Sequence, residues 1–129
     1  MQRNKYLEDL GIKKRDYGTN FCDDKDKRAK KWKKERKKYG FDDRETWNLN
    51  HTFVEWLYSH LMMYNKRGIV DTTFHKLNWQ GKEITQQDAI DILKNAAKAY
   101  LLEPDSDDKF LAFCDLMPLW GMLLPYMWW

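Results

Sequence analysis

The chain is 129 residues long, 43% hydrophobic and 33% charged, with seven tryptophans. That length suits one domain with its own core, and that composition excludes wholesale disorder. The net charge of +3 hides an uneven spread, because Lys25 to Lys38 holds ten basic residues against Asp26 and Glu35, a local +8 that leaves −5 for the rest.

The opening "MQRNKYLEDLGIKKRDYG" has no apolar core and does not read as a signal peptide. Cys22 and Cys114 stand far apart in no paired motif, which reads as reduced thiols in a cytoplasmic protein. The first long helix is expected from near Asp23 to Tyr39. Asp23 and Asp24 stand at its start, lysines crowd its end, and Gly40 stops it, an order that suits the helix dipole and a left-handed cap. Its apolar content is thin, so it is expected at the surface.

In the connector "FDDRETWNLN", Asp42 and Glu45 have the spacing of a capping box, and Asn48 or Asn50 can cap the next helix. This second helix is predicted over His51 to Lys66, ended by Gly68. Phe53, Val54, Leu57, Leu61 and Tyr64 form its core stripe, with Tyr58 and Met62 at the edge. Trp56 falls off that stripe, so it either widens the buried face or is exposed. The segment at residues 69–83 mixes β-branched, aromatic and polar residues and reads as a hairpin or irregular loop, with Gln80-Gly81 as a turn.

A third helix is predicted from Thr85 as cap, with Asp88 in the first turn and Ala89, Ile90, Leu93, Ala97, Tyr100 and Leu101 at helical spacing, up to Pro104. Ser106 can cap a fourth, with Asp107 and Asp108 in its first turn. That helix carries Phe110, Leu111, Phe113, Cys114 and Met117 until Pro118 kinks or ends it. The chain then turns strongly apolar, with Leu116, Leu119, Trp120, Leu123, Leu124, Tyr126, Trp128 and Trp129. Residues 110–129 have the length of a membrane span, but Asp115, Pro118, Gly121 and Pro125 interrupt them and no basic flank comes after. The segment is expected to close the core or to pack against a second copy. The whole reads as a mainly α protein, a compact bundle of about four helices with a hairpin or irregular segment near 69–83. It is expected to be one domain over residues 1–129 with a basic surface helix at about 23–39.

The lysine-rich helix is the strongest candidate surface. Lys30, Lys31, Lys33, Lys34 and Lys37 can contact phosphates, and Trp32 can stack on a base. The same residues also fit a solvated helix with Trp32 as its anchor. Arg44 and Trp47 make a second candidate set, a guanidinium fork for phosphate beside a flat ring. Equally, Trp47 can plug a helix junction while Arg44 pairs with an acid. Trp79 and Lys82 carry the same two readings. His51, His60 and His75 lack metal-ligand spacing, and Asp105, Asp107 and Asp108 fit a helix start better than a calcium loop. No nucleophile elbow, phosphate loop or dinucleotide fingerprint is present, so neither a catalytic group nor a cofactor is assigned.

The run "YGFDDRETWNLNHTFVEWLYSHLMMY", Tyr39 to Tyr64, and the closing "WW" resemble a group of small uncharacterised proteins of tailed phages and prophages of Gram-positive bacteria. In that group a basic start leads to a D-R-E-T-W-N-L segment, an aromatic helix and a tryptophan-rich end. The resemblance implies a protein made in the cytoplasm of a bacterial host, and no site residue carries over from it. In that context the expected function is that of a non-enzymatic binding protein for counter-defence or accessory work. It would sequester a nucleotide signal or occlude a host defence protein, and would self-associate through its C-terminal aromatic segment. The alternatives are a nucleic-acid-associated protein using residues 25–38, and a small enzyme.

Overall fold

Short polar side chains and a glycine set several of the helix ends among the described residues. A computed structural model describes residues 3–17 and 25–128. The structure divides into two units, residues 1–56 and 57–129, with the division inside one helix. The expected helix start at Asp23 and Asp24, Cys22, and the final Trp129 lie outside the described residues.

In the first unit, α1 (Lys5–Asp9) begins where the Asn4 side chain accepts the Leu7 N–H at 3.1 Å. A 3-10 turn at Lys14–Asp16 leads to Tyr17, whose hydroxyl donates to the Asn4 carbonyl at 3.0 Å. The basic helix α2 spans Ala29–Tyr39 and stops at Gly40, whose φ of 85° is the left-handed cap that a side chain would resist. A short α3 (Arg44–Trp47) comes next. The Asp42–Glu45 pair there does half of what its spacing suggests. Glu45 reaches back to accept the Asp42 N–H at 3.3 Å, whereas Asp42 accepts the Arg44 N–H at 3.1 Å.

The helix α4 runs Leu49–Arg67, two residues earlier and one later than expected. Val54, Leu57 and Leu61 of the expected stripe are buried along it, with Tyr58 from its edge, whereas Phe53 and Tyr64 are only half-buried and Trp56 is exposed. Glu55 is buried too, with His51 Nε2 3.6 Å from its Oε2 one turn away.

In the second unit the ambiguous segment resolves into a hairpin. Strands β1 (Lys76–Trp79) and β2 (Lys82–Thr85) pair antiparallel, with Leu77 opposite Ile84 and Trp79 opposite Lys82. Gln80 and Gly81 both take positive φ, 51° and 77°, the sign pattern of the two-residue turn that matches strand twist. Thr85 ends β2 and caps α5 (Gln86–Leu102). Its hydroxyl accepts the Asp88 N–H at 3.0 Å, and the Asp88 carboxylate accepts the Thr85 N–H at 3.0 Å. Thr85→Ala, which removes one arm of this reciprocal pair, is expected to cost about 1 kcal/mol in a urea titration. An unchanged midpoint would show that the Asp88 carboxylate suffices alone.

The predicted fourth helix is two. Ser106 caps α6 (Asp107–Cys114), and α7 (Met117–Leu123) is separate. Pro118 neither kinks nor ends a helix here; it stands in the first turn of α7, where its missing N–H is not needed. Together with α1 and α3, this split raises the helix tally above four without changing the mainly α character.

The long stripe of α5 is the spine of this unit. It contacts α6, α7 and β2, and α7 contacts β1. Ala89, Ile90, Leu93 and Ala97 of α5 are fully buried, as are Leu119 and Leu123 of α7. The apolar C-terminal stretch therefore closes a core through α7. It does not do so to its end, because Pro125 turns the chain into a 3-10 segment, Leu124–Tyr126, and Trp128 is 69% exposed. That last part is held by a ring contact of Tyr126 with His75 at 4.7 Å and by polar bonds. Buried Gln86 donates Nε2–H to the Tyr126 carbonyl at 3.1 Å, and the Tyr64 hydroxyl donates to the Trp128 carbonyl at 3.2 Å. Among the described residues, no helix is long and apolar enough to cross a membrane.

Candidate binding groove and lysine face

Seven charged residues and two indoles make up one cluster of the first unit. Asp42, 1% exposed, is the hub. Arg44 grips it through Nε at 3.0 Å and Nη2 at 2.8 Å, and Arg36 of α2 adds Nε at 2.7 Å. Burial alone would push the Asp42 carboxyl up. Hydrogen bonds and charge from Arg44, with the charge of Arg36, outweigh that and hold it below the ordinary carboxylate value.

The Arg44 guanidinium also lies 4.3 Å from the ring centre of Trp32. Trp32 is 2% exposed and donates Nε1–H to Asp43 Oδ1 at 2.8 Å. Asp43 takes Lys31 Nζ at 2.9 Å on its other oxygen, and its N–H donates to Glu35 at 2.9 Å. The Asp43 carboxyl is held low, first by the hydrogen bond from Lys31 and despite partial burial, with Trp32 adding to the effect. The edge of the Trp47 ring meets Trp32 at 6.0 Å, and the Arg28 guanidinium lies 5.1 and 5.2 Å from those two rings.

This arrangement sorts the residues singled out in the sequence. Arg44 is buried in an ion pair and stacked on an indole, so its fork already holds a carboxylate. Trp32 is the anchor of α2 and has no face open to a base, which removes it from the phosphate-binding set. Lys31 is committed to Asp43 and, at 3.5 Å, to Glu35. Trp47 stays 42% exposed beside them. Lys30, Lys33, Lys34 and Lys37 are exposed and make no ion pair among the described residues. In the second unit, Trp79 is half-buried and Lys82 exposed, facing each other across the last pair of the hairpin.

A groove that the sequence reading missed lies wholly within the first unit. Phe41, Glu45, Thr46, Leu49, Thr52, Phe53 and Trp56 line about 310 Å³ of open space. The Phe53 and Trp56 rings lie nearly parallel, 16° apart, with centres separated by 6.3 Å. Phe41, Leu49 and Trp56 are 48%, 62% and 48% exposed at its surface. Thr52 Oγ1 is buried without a hydrogen-bond partner. A signal existed in the sequence, since Leu49, Thr52, Phe53 and Trp56 recur at the i, i+3, i+4, i+7 spacing of one helix face. That face is a second one on α4, distinct from the buried stripe of Val54, Leu57, Tyr58 and Leu61.

The groove is apolar and carries one carboxylate. Glu45 Oε2 lies 3.8 Å from Arg36 Nη2, and no basic residue is among the lining side chains. Such a surface can take aliphatic or aromatic side chains, and a phosphate group would find no cation in its lining. No three His, Cys, Asp or Glu side chains among the described residues are grouped to hold a metal ion. Family models, curated proteins and solved structures provide no match to this chain.

Proposed function

We propose that this chain is a non-enzymatic binding protein, and that its groove docks an apolar segment of a partner protein and occludes it by stoichiometric contact. The observation that carries this reading is the groove itself. A helix face with a stacked Phe53–Trp56 pair opens to the outside, and large rings in shallow pockets are the side chains that anchor protein partners. Of the two ligands that the sequence suggested, a nucleotide signal is the poorer fit, because both guanidiniums near the groove are bound to Asp42. In the bacterial cytoplasm that the phage-protein resemblance implies, the partner is a host defence protein. Self-association through the C-terminal segment is part of the same proposal, resting on exposed Leu124 and Trp128.

A photo-crosslinking residue placed at Thr46, on the groove wall, tests it in protein expressed in the bacterium. One host protein should be captured in equimolar yield, and Trp56→Glu should abolish that adduct while leaving the melting temperature within a few degrees. Native mass spectrometry of the same material should show no retained small molecule. A retained nucleotide in place of a protein adduct would overturn the reading.

A further inference from the structure

Apart from Lys38, which lies between them over the Tyr39 ring, the cations in and just before α2 divide between two opposite faces. At about 100° per residue, Arg28, Lys31, Trp32, Glu35 and Arg36 fall on one side. These are the residues tied to Asp26, Asp42 and Asp43 or stacked on indoles. Lys30, Lys33, Lys34 and Lys37 stand at i, i+3, i+4 and i+7, a single stripe on the opposite side. The acids of this unit neutralise the inner face and leave the outer face uncompensated, so the local positive charge seen in the sequence is concentrated on one line. That line is about 10 Å long at about 1.5 Å per residue.

Four properties of the stripe select its ligand. Lysine ammoniums are compact point charges that bind phosphates without reading base edges. The stripe carries no ring, since Trp32 is buried on the other side, so there is no platform on which a single strand could stack. It carries no apolar residue either, so α2 has no face to sink into a lipid surface. What remains is a linear array of cations, which suits a linear array of anions with condensed counterions to release. We infer that the outer face of α2 is a sequence-independent contact for the phosphate backbone of duplex nucleic acid. This surface is separate from the groove, and the inference does not depend on the occupant proposed there.

Fluorescence anisotropy with two labelled DNA duplexes of unrelated sequence tests it. Both should bind equally. With four phosphates neutralised, the logarithm of affinity should fall against the logarithm of salt with a slope near −3.6, about a 150-fold loss from about 50 to 200 mM. Lys33→Gln alone should reduce that loss to about 40-fold. Replacing Lys30, Lys33, Lys34 and Lys37 together by glutamine should abolish binding without lowering the melting temperature. Lys98→Gln, at an exposed position of α5, should change nothing. Failure of the duplex to bind at low salt, undiminished binding by the quadruple variant, preference for single strands, or capture by anionic phosphatidylglycerol vesicles in place of DNA would each overturn the inference.

Discussion

Asp42→Ala is expected to destabilise the first unit by about 3–5 kcal/mol, the range for removing one partner of a buried ion pair. The loss comes from the groups that stay behind. The Arg44 side chain is only 10% exposed and would keep its charge without the Asp42 carboxylate. The Arg36 side chain is 40% exposed, so solvent screens its share of the loss. The anchor of α2 is affected as well, because the Arg44 guanidinium that faces the Trp32 ring is oriented by Asp42. Chemical denaturation followed by tryptophan fluorescence measures the effect. A change within about 0.5 kcal/mol would mean that Arg44 swings out to water and that the pair orients α3 without stabilising it.

The same carboxylate sets an acid limit. Its pKa is lower in the folded chain than in the unfolded chain. Its stabilisation is therefore fully present above the unfolded value, about 3.9, and is lost as pH falls toward the folded one. Asp43, Asp71 and Asp88 shift in the same direction and add to the acid limb. The wild-type melting temperature should be level through mildly acidic pH and fall below about pH 4, and Asp42→Ala should show a shallower fall there. Equal slopes for the two proteins would assign the acid sensitivity to the other carboxylates.

The second large effect is expected in α7. Leu119→Ala should cost about 2–5 kcal/mol, because the side chain is fully buried and its removal leaves a cavity. Trp128→Ala, although it deletes far more apolar surface, should cost about 0.5 kcal/mol or less in dilute protein. That indole is 69% exposed, and the Tyr64 hydroxyl bonds the backbone carbonyl, which alanine keeps. Urea titrations of both variants at dilute and concentrated protein decide the matter. Equal losses in dilute protein would relocate the structural work to the chain end, and a further loss for Trp128→Ala that appears only in concentrated protein is what the proposed self-association requires.

The elements legible in the sequence are those written in local chemistry. Thr85 with Asp88, Ser106, Gly40 and Gln80-Gly81 each satisfy or reverse the backbone within a few residues, and each does so where its spacing indicates. Pro118 was legible as a boundary but not as to which side of it the helix lies on, since proline fits a first turn as well as a stop. The candidate site was harder, because Asp42, Asp43, Arg44 and Glu45 are four consecutive charges, and composition does not say which turn inward. Only the approach of α2, bringing Arg36 and Trp32, makes Asp42 and Arg44 the buried ones. Ring size was no guide either. Trp32 is buried and Trp47, Trp56 and Trp128 are exposed, a difference set by which neighbours cover each ring. The lysine stripe was present in the spacing all along, but its meaning depended on knowing that the opposite face is the one held by acids.

The hairpin couples two things that are usually independent. Thr85 is the last paired residue of β2 and also the residue on which the first turn of α5 is built. Adding one residue at the Gln80-Gly81 tip would slide the pairing and send Leu77 and Ile84 to opposite faces, or else rotate α5 by about 100° relative to the strand. Either outcome takes Ile90, Leu93 and Ala97 out of phase with the layer beneath them. The tip of this hairpin is therefore fixed in length, and at Gly81, whose φ of 77° resists a side chain, in sequence as well.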